Sequence, residues 1–139
     1  MKNVKIKIVG IQGLENQSET VELMTEGTLA LRQNEALLTY EEGEGIGQKG
    51  VKTTLHYKAP DTVILKRFGA ISSKMVITKG MTELCRYNTG FGEMVLDITG
   101  ERVEGHLDEM GGTLSMSYRI DAGGQIVSRN QVEITVKEV

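Results

Sequence analysis

The sequence predicts an all-β fold, a single antiparallel meander barrel of about 8–10 strands. Three observations predict it. Apolar and polar residues alternate with period two through nearly every segment, period 3.6 is almost missing, and Gly, Asn and Asp recur at hairpin spacing. A strand with one buried and one wet face reads this way, because successive side chains point to opposite faces. Short connections make consecutive strands antiparallel neighbours, and closing such a meander removes both of its sticky edges.

The elements follow in order. Val4, Ile6 and Ile8 alternate with Lys5 and Lys7, and Val21 and Leu23 flank Glu22. Val51, Thr53, Leu55 and Tyr57 alternate with Lys52, Thr54 and His56. Thr62–Phe68 is apolar on both phases, Cys85 stands mid-strand between Leu84 and Arg86, and Met94, Leu96 and Ile98 alternate with Glu93 and Asp97. Leu114, Met116, Tyr118 and Ile120 alternate without exception against Ser115, Ser117 and Arg119, which places the first set toward the core and the second toward water. Val132, Ile134 and Val136 repeat the pattern. The breaks fall at Gly13–Gln17, Arg32–Asn34, Gly43–Gly50, Ala59-Pro60-Asp61, Lys79-Gly80, Gly90 with Gly92, Gly100, Gly111-Gly112 and Ala122–Gly124.

Bulk properties bound the function. The 139 residues make one domain, 1–139, whose core is aliphatic, since there is no Trp and only two Phe. A net charge of −3 with interspersed signs lacks the basic stripe that a nucleic-acid binder needs. Cys85 is the only cysteine, so no internal disulfide forms. The first residues alternate Lys with aliphatics and lack the apolar stretch of a signal peptide, and no window has the length of a membrane span. The expected address is the cytoplasm, with neither nucleic acid nor membrane as partner.

Gly45, Gly47 and Gly50 match G-x-G-x-x-G by letter, yet the fingerprint holds a pyrophosphate only on the N-terminus of a following helix. A strand pattern follows instead, so 43–50 is expected to be a mobile hairpin tip. His56 and His106 fall on polar phases without metal-ligand spacing; no metal and no cofactor are expected. Cys85 reads as a small buried hydrophobe. Glu41-Glu42-Glu44 and Asp108-Glu109 read as solvated turn flanks. Lys66-Arg67 is more informative, because Arg67 shares its phase with Val63 and Leu65 and is carried inward or to a rim. A guanidinium there needs a carboxylate, carbonyls or a ligand anion, and Tyr40, Tyr87 and Tyr118 are candidate partners.

Thr25-Glu-Gly27, Tyr40-Glu-Glu42, Lys52-Thr53, Arg67-Phe-Gly69, Tyr87-Asn-Thr-Gly-Phe-Gly-Glu93 and Gly112-Thr-Leu-Ser-Met-Ser-Tyr118 stand in an order that resembles the YwiB-like family, small lipocalin-like barrels of Gram-positive bacteria. The resemblance covers nearly the whole chain. It implies a calycin-type barrel and no activity.

Three function classes follow. The first is a non-catalytic barrel that holds a small anionic or amphipathic molecule in or at its mouth, with Arg67, Tyr40, Tyr87, Tyr118 and Thr53 as candidate ligand-binding residues. The second is an enzyme with a polar interior, working through Cys85 or a Tyr–Arg pair, with no catalytic residue assigned. The third is an interaction or assembly module whose barrel is filled by side chains. A homo-oligomer is compatible with each. A lined, open cavity favours the first two and a packed interior the third.

Overall fold

The computed structural model describes residues 1–14, 16–41, 51–69, 72–88 and 91–139. Ten strands follow one another: β1 (Lys2–Leu14), β2 (Gln17–Arg32), β3 (Glu35–Glu41), β4 (Lys52–Lys58), β5 (Thr62–Phe68), β6 (Ser72–Thr78), β7 (Thr82–Asn88), β8 (Glu93–Asp108), β9 (Gly111–Ala122) and β10 (Gln125–Glu138). Each pairs antiparallel with its sequence neighbours, and β1 pairs with β10 from Val4↔Glu138 to Gly13↔Arg129, which closes the barrel. The expected meander barrel is thus the fold, and the closing ladder joins the first strand to the last.

One expected break is corrected. Gly100 does not end a strand; β8 runs through it, with a bulge between Gly100 and Arg102 against β9. Glycine is needed there because the Thr78 carbonyl occupies the space of a Cβ. Gly80 N–H donates to the Gly100 carbonyl at 2.8 Å and Gly100 N–H to the Met81 carbonyl at 3.0 Å. The β6–β7 turn is therefore pinned onto the middle of β8, and the bulge accommodates it.

The two ends of the barrel differ. At one end lie the β2–β3, β4–β5, β6–β7 and β8–β9 turns and both termini, and backbone bonds link them in series. Ala59 N–H donates to Asn34 O at 2.9 Å, Lys79 N–H to Asp61 O at 3.1 Å, Glu138 N–H to Met110 O at 3.2 Å and Val139 N–H to Asn3 O at 3.2 Å. The core fills this end: Val4, Ile6, Leu29, Leu38, Leu55, Val63, Ile77, Ile98, Leu114, Ile134 and Val136 are fully buried. Tyr57 completes the seal. Its hydroxyl donates to Pro60 O at 3.2 Å and accepts from the Gly105 N–H, and its ring lies over Gly105, where a Cβ would stand 2.6 Å from Tyr57 Cε2.

Toward the other end the inward phase becomes more exposed on β5, β6 and β9, while Tyr40, Val51, Thr53, Cys85 and Ser128 stay buried. On β9, Leu114 and Met116 are buried while Tyr118 and Ile120 are half-buried. Val63, Leu65 and Arg67 on β5, Ile77, Met75 and Ser73 on β6, and Val136, Ile134 and Val132 on β10 show the same gradient. Ser115, Ser117 and Arg119 are half-buried too, so the expected alternation is sharp at Leu114–Met116 and fades as the barrel opens. β3 and β4 stay buried through Tyr40 and Thr53. No helix is long and apolar enough to cross a membrane. The segment 43–50, expected as a hairpin tip, lies outside the described residues.

Candidate ligand site at the open end

Continuous register on β5 decides where Arg67 goes. β5 pairs with β4 from Lys52↔Phe68 to Lys58↔Thr62 without a shift, so Arg67 keeps the inward phase of Val63 and Leu65. Cross-strand partners share a face of the sheet. On one side Arg67 stands opposite Thr53, and Thr53 opposite Tyr40; on the other it stands opposite Ser73, and Ser73 opposite Tyr87. The row Tyr40–Thr53–Arg67–Ser73–Tyr87 thus crosses five adjacent strands on the inner face near the open end. Thr53 is 1% exposed, Tyr40 is buried, and Arg67 and Tyr87 are half-buried.

Tyr118 joins this row from the opposite wall. Burial pushes its hydroxyl up to about 12, while the nearby Arg67 guanidinium pulls it down and the Cys85 thiol pushes it up. The phenol is therefore a neutral donor at physiological pH, placed within the field of Arg67. Beside it on the inner face of β10, Asn130 pairs with Tyr118 and its amide donates to Ser128 Oγ at 3.0 Å. Cys85 lies on β7 two residues before Tyr87, 1% exposed, its thiol pushed up by burial alone. A thiol held protonated is a poor nucleophile.

All five sequence candidates thus fall on the inner face of one end, Tyr40, Thr53, Arg67 and Tyr87 in one row and Tyr118 facing them. Ser73, Ser128 and Asn130 were missed. The signal for Ser73 is its phase with Met75 and Ile77, and for Asn130 its phase with Val132. His56 pairs with Glu35 at 3.5 Å on the outer face and His106 is exposed, as expected of solvated histidines. Among the described residues no cluster of His, Cys, Asp or Glu could hold a metal ion. Asp108 flanks its turn by accepting from the Met110 N–H at 2.8 Å. A hollow of about 960 Å³ at the β1–β2 tip is lined, among the described residues, by Gln12, Leu14, Gln17, Glu19 and Val127 and by no Lys or Arg.

Residues 6–134, nearly the whole barrel, match the family described as Domain of unknown function (DUF1934). The chain belongs to that family. It is similar to the uncharacterized beta-barrel protein YwiB of Bacillus subtilis (strain 168), with 26% identity over 121 residues, 87% of this chain and 83% of that protein. The crystal structure of ywiB protein from Bacillus subtilis superposes with a TM-score of 0.86 at 23% identity, covering 99% of this chain and 92% of that one. The motif order therefore identified the right family, and the DUF1934 barrel here has the fold of that relative.

Proposed function

We propose that this DUF1934 barrel binds a small anionic molecule in its open half, with Arg67 as the anchor. One observation carries the reading: the inner-face row Tyr40–Thr53–Arg67–Ser73–Tyr87, faced by the neutral donor Tyr118. A guanidinium offers a carboxylate or phosphate two parallel N–H donors, and the surrounding hydroxyls supply further donors in a partly dry setting. Arg67, Ser73 and Tyr87 keep part of their surface exposed, which favours a site there over a barrel filled throughout. The protonated Cys85 weighs against thiol catalysis. A cytoplasmic address suits the single unpaired cysteine.

Native mass spectrometry of freshly purified protein tests this together with thermal shifts on adding inorganic phosphate, citrate and decanoate. The expected result is a co-purifying anion, or a rise in Tm with at least one of the three, lost in Arg67→Met while the circular dichroism stays that of the wild type. Should Arg67→Met unfold, Arg67→Lys keeps the charge and removes the two-pronged geometry, and binding should weaken at least tenfold. Neither adduct nor shift, or a shift indifferent to both variants, overturns the proposal.

A further inference from the structure

On the outer face of β3–β6, strand register decides which charges meet. Lys52 stands opposite Glu41 and Lys58 opposite Glu35, so each of these cations has an acid on the next strand. Lys66 and Lys74 instead stand opposite each other. On its other side Lys66 faces Thr54, and the same row continues through Thr39 to Thr28 without an acid. Arg86, next to Tyr87 on β7 and opposite Val95, is a further outward cation, and Glu93 already holds it at 3.0 Å. Like charges directly opposite on a sheet repel and destabilise it.

Two other pairs of cations face each other among the described residues, and acids offset both. Arg119 faces Arg129, but Asp121 holds the first at 2.9 Å and Glu101 the second at 3.4 Å. Lys5 faces Lys137, but Glu26 stands on the other side of Lys5. Among the described residues no carboxylate lies within ion-pair distance of the Lys66 or Lys74 ammonium. The surface between these two lysines is also concave. A hollow of about 140 Å³ is lined by Leu37, Thr54, His56, Ile64, Lys66 and Lys74. The half-buried Leu37 and Ile64 stand on either side of His56 in the adjoining row, and Glu35 holds the imidazole at 3.5 Å.

We infer that this outer hollow is a phosphate site, in which the facing Lys66 and Lys74 ammonium groups hold one phosphate dianion, free or as a monoester. Two opposed lysines call for two negative charges. A phosphate group brings about −1.5 to −2 at pH 7, whereas a carboxylate brings one. An ammonium on a flexible four-carbon stem binds phosphate as a point charge, so the two can converge on one ion from opposite sides. The Thr54 hydroxyl adds a neutral donor from the same row, and Leu37 and Ile64 offer an apolar surface to the organic part of an ester. The site lies on the outside of the wall and is independent of the Arg67 row within.

Titration calorimetry at one ionic strength with inorganic phosphate, phenyl phosphate and benzoate tests this. Phosphate should bind saturably, and Lys66→Gln and Lys74→Gln should each weaken it by about tenfold. Both side chains are exposed, so both variants should keep the wild-type circular dichroism. Lys5→Gln makes the same change of charge at the pair that Glu26 offsets, and should alter affinity by less than about twofold. Benzoate should bind about tenfold more weakly than phenyl phosphate. Phenyl phosphate binding more tightly than phosphate marks the ligand as an ester, and equal binding marks it as the free ion. Without phosphate, Lys74→Gln should melt slightly above the wild type because a repulsion is gone, and saturating phosphate should reverse that order. No saturable binding, binding that both lysine variants keep, benzoate binding as tightly as phenyl phosphate, or an equal loss in Lys5→Gln overturns the proposal. Phosphate binding lost in Arg67→Met and kept in both lysine variants belongs to the inner row and overturns this site alone.

Discussion

Tyr57 and Tyr118 lie on the same inner face at opposite ends of the barrel, and their neighbours differ as the ends do. Burial pushes both hydroxyls up. At the closed end Tyr57 has Asp61 beside it, which pushes further, and the Gly105 N–H, which pulls back; its hydroxyl is used up tying the β8 edge to the β4–β5 turn. At the open end Tyr118 has the Arg67 guanidinium, which pulls back, and the Cys85 thiol, which pushes further. One tyrosine seals and the other faces a cation. The difference teaches that the closed end spends its polar groups on its own turns, while the open end gathers hydroxyls around a charge.

The largest effect that could break this comparison is in packing. Leu55→Ala, in the filled half, should lose about 2–5 kcal/mol in denaturant unfolding, because a fully buried side chain leaves a cavity. Leu65→Ala, its half-buried cross-strand partner on β5, should lose less than half as much, since water already reaches its site. Equal losses would mean that β4 and β5 are packed alike at this height. Gly105→Ala should come next, at about 1–3 kcal/mol, because the new methyl drives into the Tyr57 ring. Its cost should nearly vanish in a Tyr57→Ala background, a double-mutant cycle that isolates the contact.

A pH titration sharpens the contrast between the tyrosines. Tyr118 ionises near 10 in the unfolded chain and at about 12 in the folded one, so its contribution is fully present below pH 10 and is lost as pH rises from 10 to 12. Stability of the wild type relative to Tyr118→Phe should therefore fall across that window, at up to about 1.4 kcal/mol per pH unit. In Arg67→Met the phenolate absorbance of Tyr118 should appear at still higher pH, because the guanidinium that favours the anion is gone. No change would place Arg67 outside the field of Tyr118. The smallest effect concerns Tyr57→Phe, which removes the bond to Pro60 and should cost about 1 kcal/mol with no change in anion binding. A loss of binding there would show the ends to be coupled.

Much of this was legible in the sequence, because strand phase is a local property. Alternation alone sends Val63, Leu65 and Arg67 to one face, and the uninterrupted β4–β5 register keeps them there. The same rule carries Tyr40, Thr53, Tyr87 and Tyr118 inward. Gly100 was misread for an equally physical reason: a glycine that ends a strand and one that lets another backbone approach look identical in a sequence, and only the arrival of the Thr78 carbonyl tells them apart. The pairing of Tyr118 with Arg67 and of Tyr57 with Gly105 joins residues far apart in the chain. These meetings depend on how β1 closes on β10 and how far each strand is staggered against the next, and stagger is set by the whole closed sheet, not by any one strand. Which inward positions are filled and which face open water is decided there as well.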